Sequence, residues 1–231
     1  MPNSDNLRNF LDYLLVREEK GGRGKKSVPF VTITRDVGCE VDGFVRLLTK
    51  RLSDISHTPW SVLDKEILRL AASELKLKEN ELEDMLERSE HYVFDDILAS
   101  FSENYYNKSE AKAKSILRDV IRDRAKQGHV VFVGRASEII TKGLRGGLRV
   151  KVHAPFEWRV DRLSKEWGVS LKEAQEMTEK AEKRKGNFRN LFKENENDYP
   201  EYDLTFNKSS LTDLEMVEIL VGIYLSRWGK I

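Results

Sequence analysis

Short apolar runs alternate with longer amphipathic stretches from residue 29 almost to the end of the chain. An uninterrupted apolar run is typical of a strand inside a parallel sheet, whereas apolar residues at three- and four-residue spacing indicate a helix. This pattern predicts strands at 30–34, 60–63, 129–133, 148–153 and 202–206. It predicts helices at 44–52, 66–74, 80–90, 93–101, 110–126 and 156–167, another from Ser170 with Glu173 in a capping box, and a last one at 213–228.

Strands separated by helices predict an α/β fold, with one parallel five-stranded sheet and helices on both of its faces. We expect the 30–34 strand to be interior and the 129–133 strand to lie beside it. In such sheets ligands bind at the carboxyl ends of the strands, so the residues that follow each strand are the first candidates for a site.

The first 26 residues differ from the rest. Residues 5–19 predict a short amphipathic helix, and 20–26 are a basic, glycine-rich linker. The apolar face of that helix comprises Leu7, Phe10, Leu11, Leu14 and Leu15. We therefore divide the chain into an appendage, 1–26, and a domain, 27–231. The helix either covers the domain's own surface or packs against a partner, which includes a homodimer formed through this helix.

Composition narrows the classes of partner. The 40 Lys and Arg residues balance 39 Asp and Glu residues, so there is no bulk attraction to nucleic acid or to an anionic membrane. No apolar run approaches membrane-spanning length, and the N-terminal segment is a poor signal peptide. A single cysteine, Cys39, fits a reducing compartment, so we expect a cytoplasmic protein. The four histidines have no metal-binding spacing, and no metal site built by the protein is predicted.

The loop after the first strand has the spacing of a phosphate-binding loop. Gly38 and Gly43 lie five residues apart between a strand and a helix, a context in which backbone N–H groups form an anion site. The Lys and Ser or Thr that usually follow are replaced by Phe44 and Val45. The loop also contains the acidic residues Glu40 and Asp42, which repel phosphate.

Arginines follow several of the predicted strands. Arg35 and Arg135 come directly after two of them, and Arg159 and Arg162 lie on the helix after a third. Guanidinium groups pair with phosphate oxygens through two parallel hydrogen bonds, so these four side chains suit a phosphate ligand. Three of these arginines, and Asp64 after the second strand, also have a structural interpretation. Arg35 can pair with Asp36 or Glu40, Arg159 and Arg162 can pair with Asp161 and Glu166, and Asp64 after the second strand can cap the following helix.

In these features the chain resembles the cytidylate kinase-like family of P-loop nucleoside-phosphate kinases, from about Pro29 to Tyr224. Six short motifs carry the resemblance. They are Ile33-Thr-Arg35 with Gly38, Leu63-Asp-Lys-Glu-Ile67, Val130-Val-Phe-Val-Gly-Arg135, Val152-His-Ala-Pro-Phe-Glu-Trp-Arg159 with Arg162, Glu182-Lys-Arg184, and Tyr202-Asp-Leu-Thr-Phe-Asn207.

The resemblance implies a P-loop kinase-like fold with a helical lid at about 156–193. It also implies ATP with Mg²⁺ as the phosphoryl donor and a nucleoside monophosphate as the acceptor. Residues matched to nucleotide or phosphate binding are Arg35, Gly38, Gly43, Arg135 and Asp64. Residues matched to catalysis are Arg159, Arg162 and Arg184.

The loop departs from the family pattern at Cys39, Glu40 and Val41, where Ser, Gly and Gly are usual. Without those glycines the backbone approaches phosphate less easily, so weak ATP binding is expected. Two alternatives to a kinase therefore stay open: a non-catalytic protein that binds nucleotide or phosphate on the same scaffold, and an interaction module that uses the N-terminal helix.

Overall fold

A computed structural model of the protein describes residues 27–64, 106–195 and 200–229, with the side chains of 106–113 left out of the description. The strands are β1 (Phe30–Arg35), β2 (Ser61–Leu63), β3 (Val130–Val133), β4 (Gly147–His153) and β5 (Leu204–Asn207). The helices are α1 (Asp42–Ser56), α2 (Tyr106–Gln127), α3 (Ser137–Ile140), α4 (Phe156–Trp167), α5 (Leu171–Asn190) and α6 (Asp213–Trp228). The helices predicted at 5–19, 66–74, 80–90 and 93–101 lie outside the described residues.

The five strands form one parallel sheet in the order β2-β3-β1-β4-β5. β1 is central and pairs with β3 on one side, through Ile33 opposite Val133, and with β4 on the other, through Ile33 opposite Val150. The predicted α/β fold, the interior position of the first strand and its pairing with the 129–133 strand are confirmed.

Successive side chains along each strand point to opposite faces of the sheet, so the core is divided into two layers. Val31 and Ile33 point to the face that α1 and α6 cover, whereas Phe30 packs with Phe132 on the opposite face, under α2 and α3. Because both faces are buried, the strands carry few polar side chains until they end. The polar residues are therefore concentrated at the carboxyl edge of the sheet.

Two helices begin with the same reciprocal cap. Ser170 and Glu173 form the predicted capping box at the start of α5, and Thr212 and Glu215 form another at the start of α6. Hydrogen bonds from the cap residues lower the pKa of both glutamates. Each carboxylate thus stabilises its helix at pH values above the ordinary glutamate pKa, and this contribution is lost as the pH falls through the lowered pKa.

Within the part of the chain that the structure describes, no helix combines the length and the apolar composition needed to cross a bilayer.

Candidate functional site

The loop after β1 begins with a tight turn. The backbone N–H of Cys39 donates to the Asp36 carbonyl at 3.1 Å, and Gly38 has a φ of +88°. A Cβ atom at Gly38 would also lie 3.0 Å from Cβ of Arg159. Glycine is therefore required here both for the left-handed backbone and for the close approach of α4.

The rest of the loop is partly buried in the core. The side chains of Cys39 and Val41 are almost fully buried beneath α1, whereas Glu40 points outward. Burial and nearby Asp36 raise the pKa of Cys39 to about 11, so the thiol stays protonated at neutral pH. α1 begins without a side-chain cap on its backbone N–H groups. These groups keep the anion-binding capacity of a helix N-terminus.

Gly43 is needed for the packing of α1 on α6. A Cβ atom at this position would lie 2.5 Å from Oδ2 of Asp213, in the first turn of α6. The contact gives Gly43 a structural role that its spacing from Gly38 did not predict. Its role in phosphate binding stays a prediction.

Arg159, on the lid helix α4, is 6% exposed. Its guanidinium donates to the carbonyls of Ala154 and Val37, at 3.0 and 2.9 Å, and to the carboxylate of Glu182 on α5. One buried side chain therefore joins three elements: the end of β4, the loop after β1 and the lid helix α5. The pairing with Asp161 considered from the sequence is replaced by the pairing with Glu182, since Asp161 binds Lys165 at 2.6 Å.

Arg162 contacts the same loop one turn further along α4. It donates to the Gly38 carbonyl at 2.5 Å and to the Glu40 carboxylate at 2.6 Å, and it also pairs with Glu166 at 3.1 Å. The Glu166 pair is the structural alternative considered from the sequence. The contact with Glu40 is new. It places the loop's own carboxylate against an arginine that sequence analysis matched to catalysis.

Lys185 on α5 reaches the loop as well, although sequence analysis singled out its neighbour Arg184. Its Nζ donates to the Arg35 carbonyl at 2.6 Å. The side chain as a whole is exposed. Desolvation of the ammonium, and to a lesser degree the positive charge of Arg35, lowers the pKa of Lys185 to about 8, against the opposing effect of Asp36 and Glu182. The sequence contains a signal for this contact: Glu182, Lys185 and Arg189 follow one another at three- and four-residue spacing, which puts them on one face of α5.

Arg35 and Arg135 lie side by side at the carboxyl ends of β1 and β3. A Cβ atom at Gly134 would be 3.3 Å from Nη1 of Arg35, and Arg135 has a φ of +57°. Burial, and to a lesser degree Arg35, lower the pKa of Arg135, while Asp64 at the end of β2 raises it. Asp64 therefore acts as a charge partner of Arg135. In the alternative role, Asp64 would cap the helix predicted at 66–74, and that segment lies outside the described residues.

A buried carboxylate anchors the end of the lid. Glu138 on α3 is 2% exposed, and Nε of Arg189 lies 2.9 Å from it. Arg189 also donates to the Tyr202 hydroxyl at 2.9 Å. Burial and the charge of Glu138 raise the pKa of Tyr202. Sequence analysis did not find this cluster, because Glu138 lies about fifty residues before Arg189 and the two meet only when the helices dock.

A cavity of about 500 Å³ opens beside the site, between α1 and the strands β2 and β3. Asp42 and Asp64 both line it, together with Val133. Among the described residues, no group of three or more His, Cys, Asp or Glu side chains is placed to hold a metal ion by itself. Mg²⁺ is usually bound with a nucleotide through one or two carboxylates and the phosphates, and Asp42 and Asp64 are the carboxylates that line this cavity.

A comparison with protein-family models matches residues 30–210 to the cytidylate kinase-like family. The chain belongs to this family. A search of curated proteins finds no significant match.

Among solved structures, an uncharacterised protein from Eubacterium ventriosum aligns with a TM-score of 0.53 and 16% identity, covering 84% of this chain and 97% of that one. A shikimate kinase from Bacteroides thetaiotaomicron aligns with a TM-score of 0.44 and 14% identity, covering 86% and 96%. A dephospho-CoA kinase from Campylobacter jejuni aligns with a TM-score of 0.39 and 12% identity, covering 86% and 97%. Only the first of these likenesses is close enough to support the fold.

The buried pair between Arg159 and Glu182 generates a prediction about stability. We expect Glu182→Gln to lower the free energy of unfolding by about 1–2 kcal/mol, because it removes the charged partner of a buried guanidinium whose other contacts are carbonyls. Glu166→Gln is the matched control, since it weakens an exposed pair and should change stability by less than about 0.5 kcal/mol. Urea denaturation measures both. Equal effects of the two substitutions would contradict the structural role of Arg159.

Proposed function

We propose that this protein binds a nucleoside phosphate at the carboxyl edge of its sheet, with the phosphate between Arg35, Arg135 and Lys185. The observation that supports this most strongly is that Arg35 at the end of β1 has a cation on each side: Arg135, which follows β3, and Lys185 on α5, which donates to the Arg35 carbonyl. Desolvation is the main cause of the lowered pKa values of Arg135 and Lys185, and the positive charge of Arg35 lowers both further. A dianionic phosphate would relieve the repulsion and accept charge-assisted hydrogen bonds from all three.

The reaction that the family suggests is transfer of a phosphoryl group from ATP to a nucleoside monophosphate. In such a reaction the protein mainly positions the two nucleotides and stabilises charge on the transferred group. Arg35 and Arg135 would hold the acceptor phosphate. Arg159, Arg162 and Arg184 would act from the lid, with Lys185 beside them. The helix N-terminus after Gly38 and Gly43 would face the donor phosphates.

Asp42 and Asp64 would hold Mg²⁺ together with the phosphates of ATP, because they line one cavity next to Arg135. Bound there, the ion would neutralise negative charge on the phosphates. Asp36 is less suited to this role, since its carboxylate already pairs with Lys151 at 3.3 Å.

The lid contacts favour a second candidate function, which is nucleotide binding without phosphoryl transfer. Arg159 and Arg162 donate to carbonyls of the loop itself, and Glu40 supplies Arg162 with a carboxylate. Donor phosphates would have to displace these contacts before the arginines could serve them. A carboxylate about 5 Å from a phosphate charge adds a repulsion of roughly 3 kcal/mol at an effective dielectric constant near 20.

The proposed phosphate site is tested by Arg135→Ala. Loss of this guanidinium should weaken binding of cytidine monophosphate by about 1.5–3 kcal/mol, or roughly 10- to 150-fold in Kd, because a charge-assisted hydrogen bond is lost. Arg145→Ala is the matched control, since Arg145 is an exposed arginine in the turn before β4. Calorimetric titration of the wild type and both variants measures the effect. Unchanged affinity in Arg135→Ala would refute the phosphate role.

Glu40→Gly separates the two candidate functions. Removing the carboxylate takes away one of the three partners of Arg162 and reduces repulsion, so ATP–Mg²⁺ should bind more tightly, by at most roughly 3 kcal/mol and by less if solvent screens the loop. Calorimetry measures binding, and a coupled assay measures transfer to cytidine monophosphate. Tighter binding with faster transfer supports a kinase in which the loop limits activity. Tighter binding without transfer supports the non-catalytic function, and unchanged binding would show that Glu40 is no obstacle.

A further inference from the structure

The cavity beside the site continues along α1, away from the carboxyl edge of the sheet. Its lining on α1 is one stripe of the helix, at three- and four-residue spacing from Asp42 to Ser53. Val45 on this stripe, Val62 of β2 and Val133 of β3 give the cavity its apolar surface. A volume of about 500 Å³ with such a lining is typical of a site for a small molecule.

Two cations of α1, Arg46 and Lys50, border this cavity one turn apart. Both side chains are exposed, and within the described residues neither forms a hydrogen bond or an ion pair. By contrast, Arg51 on the same helix lies outside the cavity lining and pairs with Glu218 at 3.1 Å. Like charges four residues apart slightly destabilise a helix, so the stability of α1 does not explain the position of these two cations.

The hydroxyl groups of the same stripe are already bonded within the protein. Oγ1 of Thr49 donates to the Val45 carbonyl at 2.7 Å, and Oγ of Ser53 donates to the Thr49 carbonyl at 2.8 Å. Oγ of Ser53 also accepts from the backbone N–H of Trp60 at 2.9 Å. The hydrogen-bond donors that this stripe offers a ligand are therefore those of the two cations.

The charges along the cavity are separated by sign. Asp42 and Asp64 lie at the end next to Arg135. Arg46 and Lys50 follow one and two turns further along α1, about 6 and 12 Å from Asp42 along the helix axis. An acid group of a ligand would be repelled at the first end and attracted at the second. The cavity therefore favours one orientation of an anionic ligand.

We infer that the ligand of the proposed function extends from Arg135 into this cavity and carries a second acid group, a carboxylate or a phosphate, which binds Arg46 and Lys50. The inference rests on the proposed function, because that function puts the ligand's phosphate beside Arg135. The middle of the ligand packs on the valines and carries no negative charge, since it passes the two aspartates.

This assigns the ligand to a narrower chemical class. It is a phosphate monoester with a second acid group about 6–12 Å further along, the range that the two turns of α1 cover. In a nucleoside phosphate, the acid group would be on the base or the sugar. Cytidine monophosphate lacks such a group, so it fills only the phosphate end of the site.

The test compares two probes of equal shape. One is ω-phosphonooxyhexanoate, a phosphate monoester whose flexible chain ends in a carboxylate and can reach either cation, and the other is its primary amide. Calorimetric titration at one low salt concentration gives the Kd of each probe, because salt screens exposed charges. The full-length wild type is compared with three variants: Arg46→Gln with Lys50→Gln, Arg135→Ala, and a matched control, Lys126→Gln with Arg145→Gln, which removes two exposed cations elsewhere.

We expect the wild type and the control to bind the carboxylate probe about tenfold more tightly than the amide, because charge-assisted hydrogen bonds are gained. The variant without Arg46 and Lys50 should bind the two probes equally. Arg135→Ala should weaken both probes and keep their ratio, since it acts at the phosphate end.

Equal affinities of the two probes in the wild type, or a tenfold ratio that persists without Arg46 and Lys50, would overturn the inference. In both cases a weakening of the two probes by Arg135→Ala would leave the proposed function intact. If Arg135→Ala changes neither affinity, the phosphate site itself is wrong, and the extension from that site is wrong with it.

Discussion

The arrangement of the site depends on hydrogen bonds from the lid to the backbone of the loop after β1. Three cations of the α4–α5 lid donate to carbonyls within one short stretch of the loop: Lys185 to Arg35, Arg159 to Val37 and Arg162 to Gly38. These bonds fix the loop at the edge of the sheet and bring α5 over it. The tight turn at Gly38 makes them possible, because any side chain there would push α4 away.

This constraint has an electrostatic consequence. The lid brings a third cation to two arginines that already adjoin each other at the ends of β1 and β3. The nearby carboxylates only partly offset this charge, since Glu40 and Glu182 are held by Arg162 and Arg159, and Asp36 by Lys151. Desolvation, and after it the charge of Arg35, lowers the pKa of Lys185, while Asp36 and Glu182 oppose the shift. An edge of this kind suits an anionic ligand, and its charge is partly neutralised by the protein's own acids.

The sheet was predictable from sequence because its strands are buried on both faces, which leaves uninterrupted apolar runs such as 130–133. The capping box at Ser170 was predictable because its two partners lie three residues apart. The contacts between the residues of the site were not predictable from sequence. Arg159 pairs with Glu182 on the next helix, Arg189 with Glu138 on a distant one, and Gly43 packs against Asp213 near the far end of the chain. Such contacts depend on how the helices dock, which local periodicity does not specify.

The most direct test of the account is the pH dependence of cytidine monophosphate binding between pH 7 and 9.5, measured by calorimetry. The second pKa of a phosphate monoester is about 6, so the ligand's charge is nearly constant in this range. The ammonium form of Lys185 attracts the anion and the neutral amine does not. Affinity should therefore fall as the pH rises above about 8, approaching tenfold per unit once the free protein is deprotonated. Lys185→Arg, whose cation does not titrate here, should show a flat profile. Affinity independent of pH in the wild type, or a fall of equal size in Lys185→Arg, would contradict the proposal that Lys185 joins Arg35 and Arg135 in binding phosphate.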